Sequence, residues 1–397
     1  MKARTFKLLL PLIAVTVQSN SATTIIPPFL DELRVPVAGI GTLVSLGPIF
    51  ALASRLPIGM IYERGRARLL IVASVLTMGA TNFAYSLASD ALTFAIVQAL
   101  NGFAYGALTT SYMAFYVESL PPEENRNHAM GYYVGTLAVG YSTGNFFGGW
   151  FADRFGYDST FQAAAFLSLV PCVLLWRLHV PEGPAKRGGA KAAGAGVRGS
   201  WRALLEPELA TVAAVALILN LLHQMGGVFI SLYGLSVGMS LTQIGAIRAA
   251  YAGCNAITRP ISGHVVNRVG HRGLSYAGIP LQSAILMTIP LFTGFGAIMT
   301  AYVSSGLMRA IVIVANAVGL VQDVDENRVR RGVASGVYNA AGDLGNILGP
   351  AVGGLIAHAA GIGGVFVAGS AGATLLFLFL MGAVRRLRRA APAAEPS

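Results

Sequence analysis

The chain has 397 residues, of which 54% are hydrophobic and only 11% charged; a soluble core of that size cannot bury so much apolar surface, so much of it must face lipid. The formal net charge of +11 raises nucleic-acid binding, but the positions of the charges, given below, account for it without nucleic acid. Cys172 and Cys254 both sit in apolar stretches, which excludes a disulfide framework and a cysteine-rich metal site.

A helix needs about 20 predominantly apolar residues to cross the hydrocarbon layer, and twelve such runs follow one another along the chain. The first, 7–29, carries Gln18, Ser21 and Thr24 on one helical face. Its opening MKARTFKLLLPLIAV has the form of a secretory signal, but removing it would leave eleven spans and break the repeat described below. The second run is 37–60, and the polar loop after it holds Gly59, Glu63, Arg64, Gly65, Arg66 and Arg68. The third is 69–88, and the fourth, 91–117, holds Gln98, Asn101, Tyr105 and Tyr112. Glycines punctuate the fifth, 129–151, and the sixth is 160–178. A stretch rich in Gly, Ala and Lys, Pro181–Ser200, cannot build a core and reads as part of a linker over 181–206.

The seventh run, 208–233, offers Asn220, His223 and Gln224, and the eighth, 242–264, places Arg248, Tyr251, Asn255 and Arg259 on one face. The ninth and tenth are 273–293 and 296–320, the latter with Arg309 near mid-depth. In the eleventh, 333–357, Asn339, Asp343 and Asn346 share a face, and Asp343 is the one acid well inside any span. The twelfth is 363–384, followed by a basic tail over 385–397. Polar groups inside spans cost insertion free energy unless they face a cavity or a partner, so they are the candidate site. A lone arginine at mid-depth costs about 2.5–3.5 kcal/mol or more, which predicts a partner for Arg309, and Asp343 is the candidate. Arg248 can hold an anionic solute. His223 is read either as a packing residue or as a proton carrier.

All Lys and Arg except Arg34, Arg154, Arg248 and Arg309 fall on one side when the N-terminus is cytoplasmic, which by the positive-inside rule puts both termini inside. The glycines also repeat. Gly131, Gly140, Gly144, Gly148 and Gly149 recur as Gly336, Gly345, Gly349, Gly353 and Gly354, each 205 residues later. Arg55 and Gly59 return as Arg259 and Gly263 at an offset of 204. The spans therefore form two six-helix halves in parallel repeat, over 1–180 and 207–384.

At these residues the chain resembles the major facilitator superfamily over nearly its whole length. Gly345, Gly349, Pro350, Gly353 and Gly354 look like that family's fifth-helix glycine motif, read in its antiporters as a pliable seam; span five matches, with Asn145 in place of the proline. The loop Gly59, Glu63, Arg64, Gly65, Arg66, Arg68 resembles the family's G-x3-D-R-x-G-R-R motif, with Glu for Asp and one residue missing before the glycine. Its second-half counterpart is Gly263, Arg268, Gly270 and Arg272, with Asn267 where an acid is expected. Span four resembles R-x2-Q-G with Gln98 where the arginine belongs.

The resemblance implies an all-α membrane protein with twelve transmembrane helices in two pseudo-symmetric bundles. It further implies a secondary transporter working by alternating access in the inner membrane. The expected solute is small and amphipathic or weakly anionic, exported by proton antiport; uptake symport and facilitative uniport are the alternatives. Substrate contact is assigned to Gln18, Gln98, Asn101, Tyr105, His223, Gln224, Arg248, Asn255, Arg309 and Asn339, and proton coupling to Asp343. Gating falls to Gly59, Glu63, Arg64, Arg68, Gly140, Gly144, Gly345, Gly349 and Pro350, with Glu63 either a latch between the halves or part of a topological anchor. Expected partners are the solute and membrane lipid, with the chain a monomer. No cofactor is expected, since there is no phosphate-binding loop and no soluble segment long enough for an enzyme domain.

Overall fold

In the computed structural model, residues 3–120, 125–177, 206–324 and 331–390 are described. The linker over 181–206, apart from Glu206, and the last seven residues of the tail lie outside them, as does the side chain of Arg64.

Lipid offers no partner to backbone N–H and C=O groups, so apolar runs of this length satisfy them internally as helices. The first four are α1 (Ala3–Glu32), α2 (Val37–Ile61), α3 (Ala67–Tyr85) and α4 (Ala91–Ser119). Asp90 caps α4, its carboxylate accepting from the Leu92 and Thr93 amides at 2.9 Å each. One stretch, Arg126–Leu167, holds α5 and the start of α6, which continues through Leu169–Arg177. The break falls at Gly156, with φ 80° and ψ 173°, a conformation open to glycine and closed to residues with a Cβ.

The second half repeats the plan. It comprises α7 (Pro207–Ser236), α8 (Leu241–Val269), α9 (His271–Met287) and α10 (Phe295–Gln322). The stretch Arg331–Gly364 holds α11 and the start of α12, broken at Gly361 with φ 75° and ψ 169°. After a π-helical turn at Val365–Gly369, α12 runs through Ser370–Ala390, past the expected end at 384. Gly156 and Gly361 are themselves 205 residues apart, so the repeat extends to the turns, which the sequence reading placed as loops of several residues.

Nine helical stretches among the described residues are long and apolar enough to cross a membrane by length and composition. Two of these, His128–Arg177 and Val333–Arg386, are the broken stretches and hold two spans each. The twelfth span, α8, falls short of that apolarity because Arg248, Asn255 and Arg259 interrupt it.

Packing follows the repeat. Within the first half α1 lies along α5, and α4 along α2 and α3; within the second α7 lies along α11, and α10 along α8 and α9. The halves meet along α2 with α11 and α5 with α8. Missing side chains permit the close crossings. A Cβ on Gly140, Gly144 or Gly148 would strike Thr16, Val17 or Ser21 of α1. One on Gly345 or Gly349 would strike the backbone of α7 at Leu217 or Leu221. These glycines are therefore inside the halves and not at the seam between them.

The seam uses their neighbours. A Cβ on Gly149 would strike Leu241 and Gly245, and one on Gly41 would strike the Pro350 carbonyl. These contacts lie at the end of the bundle opposite the termini, with the Thr242 hydroxyl donating to the Asp153 carboxylate at 2.6 Å. There Phe29, Tyr85, Phe94 and Phe161 tie α1, α3, α4 and α6 together, with ring centroids 5.0–5.3 Å apart from Tyr85 to Phe94 and Phe161. Toward the terminal end, a Cβ on Gly59, Gly131, Gly263 or Gly336 would meet no atom of the described residues outside its own helix within 4 Å. The close backbone contacts between the halves thus lie at the distal end.

Candidate functional site

Arg248 and Arg259, 11 residues apart on α8, and Arg309 of α10 line the middle of the second half. Arg309 is only 7% exposed, and its Nη2 donates to the Asn220 Oδ1 of α7 at 3.1 Å. Its Nε has no partner among the described residues. Arg248 donates to the Gly227 carbonyl, to Ser231 Oγ at 3.5 Å, and through Nε to Asn145 Oδ1 of the first half at 3.4 Å. Arg259 donates through Nε to Asn255 Oδ1 at 3.1 Å, and Asn255 Nδ2 donates in turn to the Gly306 carbonyl at 3.3 Å. Every one of these partners is neutral. No carboxylate pairs with any of the three among the described residues.

A ring stack ties the group together. Tyr251 lies between His223, at 5.5 Å between centroids and 10° between planes, and Tyr302, at 4.6 Å and 29°. The Tyr251 hydroxyl and His223 Nδ1 are 3.0 Å apart. Gly306 makes room for the Tyr251 ring, since a Cβ there would come within 2.7 Å of it. All three arginines act electrostatically on His223. Arg248, Arg259 and His223 keep partial exposure at mid-helix, so they border the space between the halves.

Asp343 is elsewhere. Its carboxylate takes a charge-assisted hydrogen bond from Arg55 of α2, across the seam, and not from Arg309 as the sequence reading expects. The reason is topological: α10 packs on α8 and α9, whereas α11 packs on α7 and α2. Helices adjacent in sequence are not neighbours here. Freed of this acid, the arginine group is left uncompensated.

The remaining candidates divide. His223, Arg248, Asn255 and Arg309 come together. Gln224 faces Gly349 of α11. Gln98 and Asn101 do not join the group: Gln98 bonds to the Tyr85 hydroxyl and, at 3.3 Å, to the Val44 carbonyl, and Asn101 donates to Thr81 at 2.7 Å. Both serve the α2–α3–α4 packing. Among the described residues, Gln18 is fully buried in α1 with neither amide atom bonded, and Asn339 is exposed and donates to Ser335 at 3.5 Å. Tyr105 shares a hydrogen bond with Tyr141, which lies within electrostatic reach of Arg259.

In the gating set, Glu63 meets Arg66 at 3.9 Å with both side chains exposed; among the described residues it makes no latch to the other half. Arg68 is half-buried at the start of α3. Pro350 sits at the seam, and Ser45 of α2 donates to the neighbouring Ile347 carbonyl at 2.7 Å. In the second-half loop the acid missing at Asn267 is supplied by Asp323, from the end of α10. His271 Nε2 approaches its Oδ2 at 2.8 Å, and Arg272 donates to both oxygens at 3.1 and 2.9 Å. Burial pushes the Asp323 carboxyl up, but the bonds and charges of Arg272 and His271 outweigh it and hold it below the usual carboxylate range.

Asn145 was missed as a site residue. It stands 205 residues before Pro350, accepts from Thr24 at 2.7 Å, and is the first-half residue that touches Arg248. Its replacement of a repeated proline is the sequence signal that marks it.

Two helix bundles in parallel repeat, with polar groups held inside apolar spans, define a membrane carrier. The Major Facilitator Superfamily profile matches residues 8–330, and the chain belongs to that family. It is a multi-pass membrane transporter and not an enzyme. It is 21% identical over 325 residues to an MFS-type transporter of Methanocaldococcus jannaschii, covering 80% of this chain and 82% of that one. Multidrug resistance protein 1 of Bacillus subtilis is 22% identical over 340 residues, with 83% of each chain covered. The fold matches a bacterial homologue of the human lysosomal transporter Spinster in an inward-facing, unoccupied conformation. There the TM-score is 0.77 at 16% identity, over 99% of this chain and 100% of the other.

Proposed function

We propose that the chain is a monomeric carrier that exports a small amphipathic or weakly anionic solute across the inner membrane in exchange for protons. The observation that carries this reading is the ion pair between Arg55 and Asp343. It joins the two moving halves through the one acid well inside a span, and it leaves the arginine group without an internal counterion. Both halves of the site come from one chain, so no second copy is required. With the termini cytoplasmic, as the charge distribution favours, the end away from the backbone contacts faces the cytoplasm, where an exporter loads.

The cycle then runs as follows. Open to the cytoplasm, Asp343 is ionised and held by Arg55, and solute binds at the arginines. Closure of the terminal end and opening of the distal end carry the solute outward. This closure parts Arg55 from Asp343, protonation of the freed Asp343 from outside lets the empty carrier return, and the proton then leaves to the cytoplasm and the pair re-forms. Transport is therefore exchange, one ligand permitting the return of the other. Resemblance to a multidrug resistance protein supports export.

The test is metabolite profiling of cells lacking and overproducing the protein, followed by uptake of the depleted metabolite into everted vesicles under an imposed pH gradient. Uptake should follow the gradient in the parent and lose that dependence in Asp343→Asn. Gradient-driven uptake by Asp343→Asn equal to the parent's would remove Asp343 from coupling and return the pair to a purely structural role.

A further inference from the structure

The three arginines carry more positive charge than any one carboxylate can balance. Each has spent its internal hydrogen bonds on neutral acceptors, Asn220, Gly227, Ser231, Asn145 and Asn255. These hold the guanidinium planes in place without cancelling their charge. Arg309 retains a buried Nε with no partner among the described residues. A buried donor left unmade is costly, so a ligand that supplies the acceptor gains by doing so.

All three arginines belong to the second half, on α8 and α10. The equivalent region of the first half offers Tyr105, Tyr141 and Asn145, and its cation, Arg55, the repeat counterpart of Arg259, is already paired with Asp343. The division is chemical: charge on one wall, aromatic and amide surface on the other. Guanidinium groups present forked donors that match carboxylate and phosphate oxygens.

Resting on the carrier reading above, we infer that the solute is a small organic dianion with an apolar or aromatic body, its two charges held by Arg309 and Arg248 and its body lying against the tyrosines of the first half. Two carboxylates or one phosphate monoester supply this chemistry. Of the group's three charges a monoanion leaves two uncompensated and a dianion one; a cation meets three like charges and is rejected. Arg259, at the end of the group nearest the terminal opening, draws the anion in.

Binding to the purified full chain in a neutral detergent, free of added lipid, reads this directly and needs neither a gradient nor transport. The probes are phthalate and phenyl phosphate as dianions, benzoate as a monoanion, benzamide as a neutral ring and benzyltrimethylammonium as a cation. Both dianions should bind at least about tenfold more tightly than benzoate, with benzamide and the cation binding weakest. Response to one dianion alone distinguishes carboxylate from phosphate recognition. Arg309→Gln and Arg248→Gln should each weaken dianion binding by about tenfold or more while leaving benzamide binding unchanged. Arg309→Lys, which keeps the charge without the fork, should fall between; cooperative thermal unfolding of each variant checks that it is folded. Equal binding of benzamide and the dianions, or dianion binding unchanged in folded Arg309→Gln and Arg248→Gln, overturns the inference. A dianion that binds in this way but is not carried by vesicles would leave the recognition standing and sink the carrier reading instead.

Discussion

Asp323 shows how a single carboxylate can anchor a helix junction. It gathers His271 and Arg272 at the start of α9, immediately after Gly270, whose φ of 90° turns the chain out of α8. Because the folded carboxyl titrates below its unfolded value, its contribution is fully present above the unfolded value and is lost as pH falls through the folded one. Asp323→Asn should lower the unfolding midpoint at neutral pH by an amount equivalent to about 1 kcal/mol, since Arg272 is largely exposed. The difference between variant and parent should vanish in acid; a midpoint deficit unchanged there would show that the effect is not ionic. Asn145 makes a second prediction. Replacing it with Ala removes the acceptor for Thr24 and Arg248, and solute affinity should fall about threefold to tenfold with fold retained; unaltered affinity would place Asn145 in packing alone.

At the scale of elements, the glycines separate into two roles. Gly349→Val would put its Cβ 2.6 Å from the Leu221 carbonyl and 3.0 Å from the Met225 amide, overpacking α7 against α11 at a cost of about 1–3 kcal/mol. Folded protein in the membrane and transport should then decline together. Gly41→Ala acts at the seam, against Pro350 and Gly354, and should slow transport while membrane levels hold. Protein levels and flux measured side by side check both, and matched losses in Gly41→Ala would deny it a seam role. The spans were legible in the sequence because lipid imposes a length and an apolar composition on every helix, and the glycine offset because close crossings tolerate no side chain. The breaks at Gly156 and Gly361 could have been read from the same offset. What could not be read was the partner of Asp343: helical spacing fixes the face on which a residue stands, not which helix comes to that face, and α10 and α11 are apart. Nor does spacing show that Gln98 and Asn101 are engaged within their own half.

For the whole molecule, backbone contacts close the halves against each other at the distal end, and the proposed function has them rock about it. The proposed topology predicts that reporter fusions after Ser89 or Ile362 read outside and fusions in the 181–200 linker inside; an inside signal at Ile362 would invert or break the twelve-span order. The proposed coupling rests on one ion pair linking protonation to the gate. Spin labels at Met60 of α2 and Ser335 of α11, in a chain lacking Cys172 and Cys254, report the width of the terminal opening. At about pH 8, where carboxylates are ionised, the labels should be far apart in most molecules. On shifting to about pH 5, or in Asp343→Asn at either pH, a shorter distance should gain population. Asp343→Asn distances that match the parent's at both values would contradict the coupling.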